Sequence, residues 1–122
     1  NLWYQVIDQG ERQGNYLESS ASSMFGYAFA KGANDGYLEE KFFSEAKTVF
    51  DAVIKNFISV GKDSLLDFNG TCRSAGLGGK PYRDGSYDYY IGEPVRLNDM
   101  KGLGSFILLA IEIEKGKKRG KE

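Results

Sequence analysis

Phe42-Phe-Ser-Glu-Ala-Lys-Thr-Val-Phe-Asp-Ala-Val-Ile-Lys-Asn-Phe57 is the clearest helical signal in the chain. Its apolar residues recur every three or four positions, which is the spacing of one helix face, while Glu45, Lys47 and Lys55 fall on the opposite face. Gly61 then ends the pattern. We therefore predict an amphipathic helix across residues 42–57 that packs its apolar face on a core.

A second helix is predicted upstream of this stretch. A serine cluster at residues 19–23 precedes an apolar run, and the hydroxyl of Ser19 or Ser20 can cap the helix by accepting a hydrogen bond from a free backbone N–H. Gly32 and Gly36 end it. Because residues 24–29 are apolar on more than one side, we expect this helix to be deeply buried.

A third helix is predicted near the end of the chain. Asn98 or Asp99 can cap it, and its apolar residues lie between Leu103 and Ile113, followed by a charged tail over residues 115–122. Residues 64–68 can form one short strand. The chain is thus predicted to be all-α, with about three helices, one short strand and a long glycine- and tyrosine-rich loop.

That loop is Gly76-Leu-Gly-Gly-Lys-Pro-Tyr-Arg-Asp-Gly-Ser-Tyr-Asp-Tyr-Tyr90. It shows no apolar periodicity that predicts a helix, and ordered loops of this length are usually functional. It carries the groups that bind sugars, which are flat tyrosine rings, an arginine fork and a carboxylate. Tyr89 and Tyr90 are adjacent, so at most one of them is expected to face a cleft in an extended segment.

Composition excludes several function classes. The chain has 122 residues, a net charge of −1 and no histidine. A near-neutral charge gives no support for a nucleic-acid or anionic-membrane partner, and without histidine neither a Ser-His-Asp triad nor a histidine-ligated zinc can be built within the chain. The single cysteine, Cys72, is expected to be a buried small side chain rather than a nucleophile.

The predicted helices do not add up to a self-contained fold. The first and third carry apolar residues nearly all round, whereas an isolated three-helix unit shows one apolar stripe per helix. We expect the chain to be either a piece of a larger helical assembly or an obligate oligomer, and the first is favoured.

Several blocks, in this order, resemble the C-terminal third of unsaturated rhamnogalacturonyl hydrolases, which form glycoside hydrolase family 105 and are related to the family 88 unsaturated glucuronyl hydrolases. The resemblance covers nearly the whole chain. The blocks are Leu2-Trp-Tyr-Gln-Val, Asn15-Tyr-Leu-Glu-Ser-Ser-Ala-Ser-Ser-Met-Phe, Gly70-Thr-Cys, Ala75-Gly-Leu-Gly-Gly, Tyr82-Arg-Asp-Gly-Ser-Tyr with Tyr89-Tyr, and Asn98-Asp-Met-Lys-Gly.

The resemblance implies a six-hairpin (α/α)6 toroid, of which residues 1–122 would be one C-terminal segment. It also implies removal of 4,5-unsaturated uronic acid from the non-reducing end of pectin-derived oligosaccharides, without a metal or organic cofactor. In that chemistry an aspartic acid protonates the C4=C5 double bond and water adds at C5. The resulting hemiketal collapses and the sugar ring opens. The family's catalytic aspartate has no counterpart in the matching blocks, so no catalytic residue is assigned to this chain.

Five residues are predicted to contact substrate. The helix start at Ser19 and Ser20 offers hydroxyls and free N–H groups for a sugar carboxylate, although plain N-capping explains these serines as well. Tyr82, Arg83 and Tyr87 are predicted to contact the leaving saccharide, against the alternative of a structural loop that seals the barrel end.

Other candidates favour structural roles. Asp84 is more typical of a turn former or a salt bridge with Arg83, and Glu18 of helix capping. Trp3 or Tyr4 can stack on a pyranose ring, but burial explains them equally well. The expected partners are an oligosaccharide and either the remainder of the barrel or a second copy of the chain, with no nucleic acid and no membrane. The alternative function is a non-catalytic helical fragment that binds saccharide or self-associates.

Overall fold

A computed structural model describes residues 1–119 of the chain, and within them the fold is built from three long helices, one short helix and four short strands. The helices are α1 (Ser19–Asn34), α2 (Lys41–Phe57), α3 (Tyr87–Gly92) and α4 (Met100–Arg119), and the strands are β1 (Ile58–Val60), β2 (Leu66–Phe68), β3 (Thr71–Cys72) and β4 (Val95–Arg96). The predicted helical fold class is confirmed. None of the described helices is both long and apolar enough to span a membrane.

The α2 helix forms as its sequence pattern predicts. Its buried residues follow one another at intervals of three or four, which places them on one face toward α1 and α4. The core that this face helps to build consists of Ala30, Ala33, Phe43, Ala46, Val49, Val53, Phe57, Phe68, Leu109 and Ile113.

The buried face of α1 is made of small side chains rather than large apolar ones. A Cβ atom at Gly26 would lie 2.9 Å from Val49 Cγ1 on α2 and 3.0 Å from Leu109 Cδ2 on α4. Because Gly26 has no side chain, the three long helices can approach one another closely at this point. The other buried residues of α1 are Ser19, Ser22, Ser23, Ala30 and Ala33.

Large apolar side chains of α1 and α4 point away from this core. Met24 and Phe25 on α1 are 47% and 37% exposed, and Ile107 and Ile111 on α4 are 50% and 45% exposed. The deep burial predicted for residues 24–29 is therefore not achieved by the residues of this chain. Helix amphipathicity explains the outcome, since each helix has only one face toward its partners. Small residues occupy that face on α1, and Leu109 and Ile113 lie on it in α4.

Two helix boundaries differ from the sequence prediction. Tyr87–Gly92 forms the short helix α3 inside the run that was predicted to be a loop, because the Ser86 hydroxyl caps it by accepting from Tyr89 N. Helix α4 continues to Arg119, so part of the predicted tail is helical, and residues 120–122 lie outside the described residues. Its start agrees with the prediction, because Asp99 Oδ1 accepts from Lys101 N at 3.0 Å.

The strands form two small antiparallel pairs that hold the connecting segments. The predicted strand at 64–68 is found as β2, which pairs with β1 so that Ile58 faces Phe68. Strands β3 and β4 pair with Thr71 opposite Arg96. This second pair brings the residues on either side of the glycine-tyrosine run next to the start of α4.

Glu112 links α1 and α4 and makes stability dependent on pH. Asn34 Nδ2 donates to Glu112 Oε2 at 2.9 Å, and Lys115 Nζ donates to Oε1 at 2.7 Å. Burial alone would raise the pKa of Glu112, but the hydrogen bonds from Lys115 and Asn34 outweigh it and lower the pKa below the ordinary value of 4.5. A carboxyl with a depressed folded pKa contributes stability that is present above its unfolded pKa and is lost as pH falls through its folded pKa.

We expect Glu112→Ala to lower the free energy of unfolding by about 1–3 kcal/mol at pH 7, since a buried acceptor for Asn34 is lost. The difference from the unmodified protein should shrink in strongly acidic buffer, where Glu112 is protonated. Urea unfolding at both pH values measures this. A pH-independent difference would contradict the assignment, and Glu114→Ala, on the exposed side of α4, is the matched control.

Candidate functional site

The candidate site is a polar groove at the end of the bundle where α1 begins. Three hollows follow one another there, and we call them together the groove. The first and second share Gln5 and Tyr90, and the second and third share Arg73 and Ser74. The second hollow has a volume of about 340 Å³ and the third about 370 Å³.

Glu18 organises the floor of the second hollow. Its carboxylate accepts from Ala21 N at 2.6 Å, from the Ser20 hydroxyl at 2.9 Å and from Cys72 N at 2.9 Å. The side chain thereby caps α1 and ties it to β3, and its negative charge is favourable at the helix N-terminus. The capping role predicted for Glu18 is confirmed, whereas the prediction of Ser19 or Ser20 as the N-cap is wrong, because Glu18 occupies that position.

Ser19 and Ser20 face different surroundings. Ser19 is fully buried; its hydroxyl lies 2.8 Å from Thr71 Oγ1, and its N–H donates to Gly70 O at 2.9 Å. It is not among the residues that line the groove. Ser20 does line the second hollow, with its hydroxyl donating to Glu18. Of the two predicted residues, the structure brings only Ser20 to the groove.

Arg83 holds the glycine-rich loop in its conformation. Its Nε donates to Gly78 O at 2.8 Å, and the backbones of residues 78 and 83 exchange two hydrogen bonds. The guanidinium lies so close to Gly76 and Gly79 that a Cβ atom on either would be 2.7 Å from one of its nitrogens. Arg83 also lines the third hollow, so its position combines support of the loop with access to the groove.

The two predicted tyrosines lie at opposite ends of the groove. Tyr82 lines the third hollow and is 78% exposed, so one ring face is open to solvent. Tyr87 lines the first hollow, where the Arg12 guanidinium stacks 3.7 Å from its ring centroid. The Tyr87 hydroxyl donates to Arg12 O at 3.1 Å, which fixes the ring.

Tyr89 and Tyr90 both line the groove, contrary to the expectation that at most one would do so. Tyr90 lines the first and second hollows, and Tyr89 the third. The expectation assumed an extended segment, in which neighbouring side chains point to opposite sides. In helix α3 they are separated by about 100°, so two neighbours can reach adjoining hollows.

Several groove residues were not singled out in the sequence. Arg73 and Lys101 line the second hollow, and Arg73, Lys80 and Glu93 line the third. Arg73 Nη2 lies 3.4 Å from Glu93 Oε2, and Lys101 Nζ lies 2.7 Å from Asp99 Oδ1. Charged residues beside turns are common on any surface, so no local pattern distinguishes these. Their grouping depends on the pairing of β3 with β4.

The remaining candidates make contacts within the chain that support structural roles for them. Ser86 N donates to Asp84 Oδ1 at 2.9 Å, which makes Asp84 a turn former and lowers its pKa. Cys72 is buried as expected, and burial together with Cys72 raises the pKa of the nearby Tyr16 hydroxyl. Trp3 packs edge-on against Phe25 with ring centroids 4.9 Å apart, so its burial is accounted for within the chain.

Solved structures similar to this chain include a family 105 glycoside hydrolase. A family 105 glycoside hydrolase from C. acetobutylicum ATCC 824 is 52% identical and superposes with a TM-score of 0.89 over 93% of this chain and 31% of its own. A possible family 105 member from Salmonella enterica shares the fold at 20% identity, with a TM-score of 0.68 over 96% of this chain and 27% of its own. The fold is therefore a segment of the helical toroid of these enzymes.

Residues 1–117 match the model of glycosyl hydrolase family 88, and the chain belongs to that family. Two further relatives are Protein Atu3128 of Agrobacterium fabrum and a 24.9 kDa protein in the picA locus of Rhizobium radiobacter. Each is 36% identical in an alignment 117 residues long that covers 91% of this chain and 50% of the relative. The chain thus spans about half the length of these relatives and about a third of the solved structures.

Proposed function

We propose that this chain is the C-terminal part of a larger α/α barrel domain whose intact protein is a glycoside hydrolase. Its substrates would be pectin-derived, rhamnogalacturonan-type oligosaccharides that carry a 4,5-unsaturated uronic acid at the non-reducing end. The observation that carries this proposal is the groove, which combines the exposed ring of Tyr82 and three half-buried tyrosine rings with several cations in a chain of family 88. Aromatic rings suit pyranose faces, and cations suit uronate carboxylates.

The exposed apolar faces of α1 and α4 support the larger barrel. Phe106, Ile107 and Ile111 line a shallow, open depression on α4. A second apolar hollow lies between α4 and the β1–β2 hairpin, and Leu66 and Leu103 contribute to it. Contiguous apolar surface of this kind usually marks a contact with another element. In a barrel of the length of the family 105 structure, neighbouring hairpins would cover it.

We assign substrate contact to four of the five predicted residues by their place in the groove. Ser20 would meet a sugar hydroxyl or carboxylate, and Tyr82 would stack on a ring of the leaving saccharide with Arg83 beside it. Tyr87 would contact the leaving saccharide at the other end of the groove. Ser19 would act indirectly, because its hydroxyl is used on Thr71 and so supports the strand beside the hollow.

The catalytic acid would come from the rest of the barrel. It would protonate C4 of the unsaturated uronate while water adds to C5. The hemiketal so formed would break its bond to the ring oxygen, giving a ketone at C5 and a hemiacetal at C1. The hemiacetal would then release the leaving saccharide as an alcohol and leave an aldehyde at C1. Within residues 1–119, Glu18 is occupied as a helix cap, and the lowered pKa of Asp84 disfavours its protonated form.

The full-length protein should be incubated with fragments of pectin, chondroitin and ulvan that a lyase has cleaved. We expect the ultraviolet absorbance of the unsaturated uronate to fall with the rhamnogalacturonan-type fragments and to stay constant with the other two. Constant absorbance with all three substrates would contradict the proposed activity. A fall restricted to chondroitin or ulvan would contradict the proposed substrate class.

A further inference from the structure

We propose that Arg73 and Lys80 form an anion subsite that selects substrates whose leaving saccharide carries a free carboxylate. This inference rests on the proposed function and adds the residues that distinguish an anionic leaving saccharide from a neutral one. Both side chains line the third hollow, together with Tyr82, Arg83, Tyr89 and Glu93. Arg83 was predicted from the sequence to contact the leaving saccharide, but the geometry points to Arg73 and Lys80 as the ligands of its carboxylate.

Charge in the third hollow is unbalanced. Arg73, Lys80 and Arg83 bring three cations against the single carboxylate of Glu93, although the whole chain has a net charge of −1. Like charges that share a concave surface repel one another, and this repulsion is relieved when an anion binds. A neutral sugar would bring no such relief, so the hollow favours an anionic group.

Arg83 is less available than Arg73 as the main anion ligand, because its guanidinium packs against the backbone of its own loop. Its Nε donates to Gly78 O, and its guanidinium lies against the backbone at Gly76 and Gly79. These contacts hold the loop that carries Lys80 and Tyr82. Arg83 therefore acts as a positioning residue for this subsite.

Glu93 orients the Arg73 side chain but leaves most of its hydrogen-bond donors available. Its side chain is 46% exposed, and one nitrogen, Nη2, lies 3.4 Å from Glu93, whose own side chain is only 13% exposed. A guanidinium has five N–H donors, so a single long contact leaves most of them for a ligand. The pair thus fixes the direction of Arg73 while its outer edge remains open to the groove.

Lys80 and Tyr82 complete the subsite on the loop side. Lys80 is exposed and lines the hollow two residues before the exposed Tyr82 ring. A pyranose stacked on that ring would place its substituents beside a cation. The leaving saccharide of a rhamnogalacturonan-type oligosaccharide contains uronates, whose carboxylates match this arrangement.

The test compares two substrates on the full-length protein. One is an unsaturated uronyl oligosaccharide with a free carboxylate on its leaving part, and the other is the same compound with that carboxyl methyl-esterified. We expect the free acid to have a KM about tenfold lower, the typical effect of one charge-assisted contact, and the difference to shrink at high salt. Arg73→Gln and Lys80→Gln should each reduce the preference, chiefly by raising the KM of the free acid.

Lys47→Gln, on the exposed face of α2, is the charge-matched control and should keep the full preference. Arg73→Lys retains the charge and should keep most of the preference for the free acid. It therefore tests the role of the charge even if Arg73→Gln does not fold. An unchanged preference in both Gln variants would overturn the subsite.

Failure of the proposed function can be told apart from failure of the subsite. If the protein hydrolyses neither compound, calorimetric titration with saturated trigalacturonate tests the subsite directly. Weaker binding by Lys80→Gln than by Lys47→Gln supports the subsite, and equal binding overturns it.

Discussion

The 122-residue chain by itself should leave the absorbance of an unsaturated uronyl oligosaccharide unchanged, whereas the intact protein should remove it. The reason is that the catalytic acid would come from the rest of the barrel. Within this chain Glu18 accepts three different donors as the cap of α1, and the Ser86 N–H lowers the pKa of Asp84, which disfavours its protonated form. General acid catalysis alone contributes about 10²–10⁴-fold, and the missing barrel would remove further substrate contacts.

The control is a mixture of this chain with the separately produced remainder of the protein. Circular dichroism should first show that the chain is helical, so that inactivity is not mistaken for unfolding. Recovery of activity in the mixture would support the proposal that the remainder supplies the catalytic acid and this chain supplies substrate contacts. Hydrolysis by the chain alone, at a rate comparable to that of the intact protein, would contradict it.

Gly102→Ala should destabilise the protein by about 2 kcal/mol, as is typical when atoms are forced into a packed core. A Cβ atom at residue 102 would overlap Thr71 Oγ1 and would lie 2.8 Å from Phe68 Cε1. Thr71 cannot yield easily, because it is fully buried and its hydroxyl is bonded to Ser19. The added methyl group therefore forces α4 away from β2 and β3.

Gly104→Ala is the matched control on the same helix. Nothing lies within 4 Å of a Cβ atom at Gly104, so the better helix propensity of alanine should stabilise the chain by up to about 1 kcal/mol. Urea unfolding of the two variants measures the contrast. Equal effects would show that helix propensity, and not the contact with Thr71 and Phe68, controls position 102.

The sequence pattern was sufficient wherever local chemistry dominates. The three-to-four-residue spacing in residues 42–57 predicted α2, and the buried residues Phe43, Val49 and Val53 confirm its apolar face. Asp99 caps α4 as its position indicated. The ordered sequence blocks predicted a glycoside hydrolase of the family 88 and 105 type, and the family match confirms it.

Helix caps and short helices were harder to predict, because the alternative capping residues and the alternative backbone conformations are close in free energy. Glu18, Ser19 and Ser20 are all chemically able to cap α1, and Glu18 takes the position because Cys72 N on β3 offers its carboxylate a further donor. Helix α3 has only six residues, too few for a periodic signal, and depends on Ser86 for its first turn.

Alone, the sequence determined the fold class, the α2 helix and the family, because each depends on residues close together in the chain. Only the tertiary structure decided which groups share the groove. Arg73 and Lys80 meet there because β3 pairs with β4 and the loop folds back on Arg83. Such contacts join residues far apart in sequence, and their energies depend on packing that no local pattern contains.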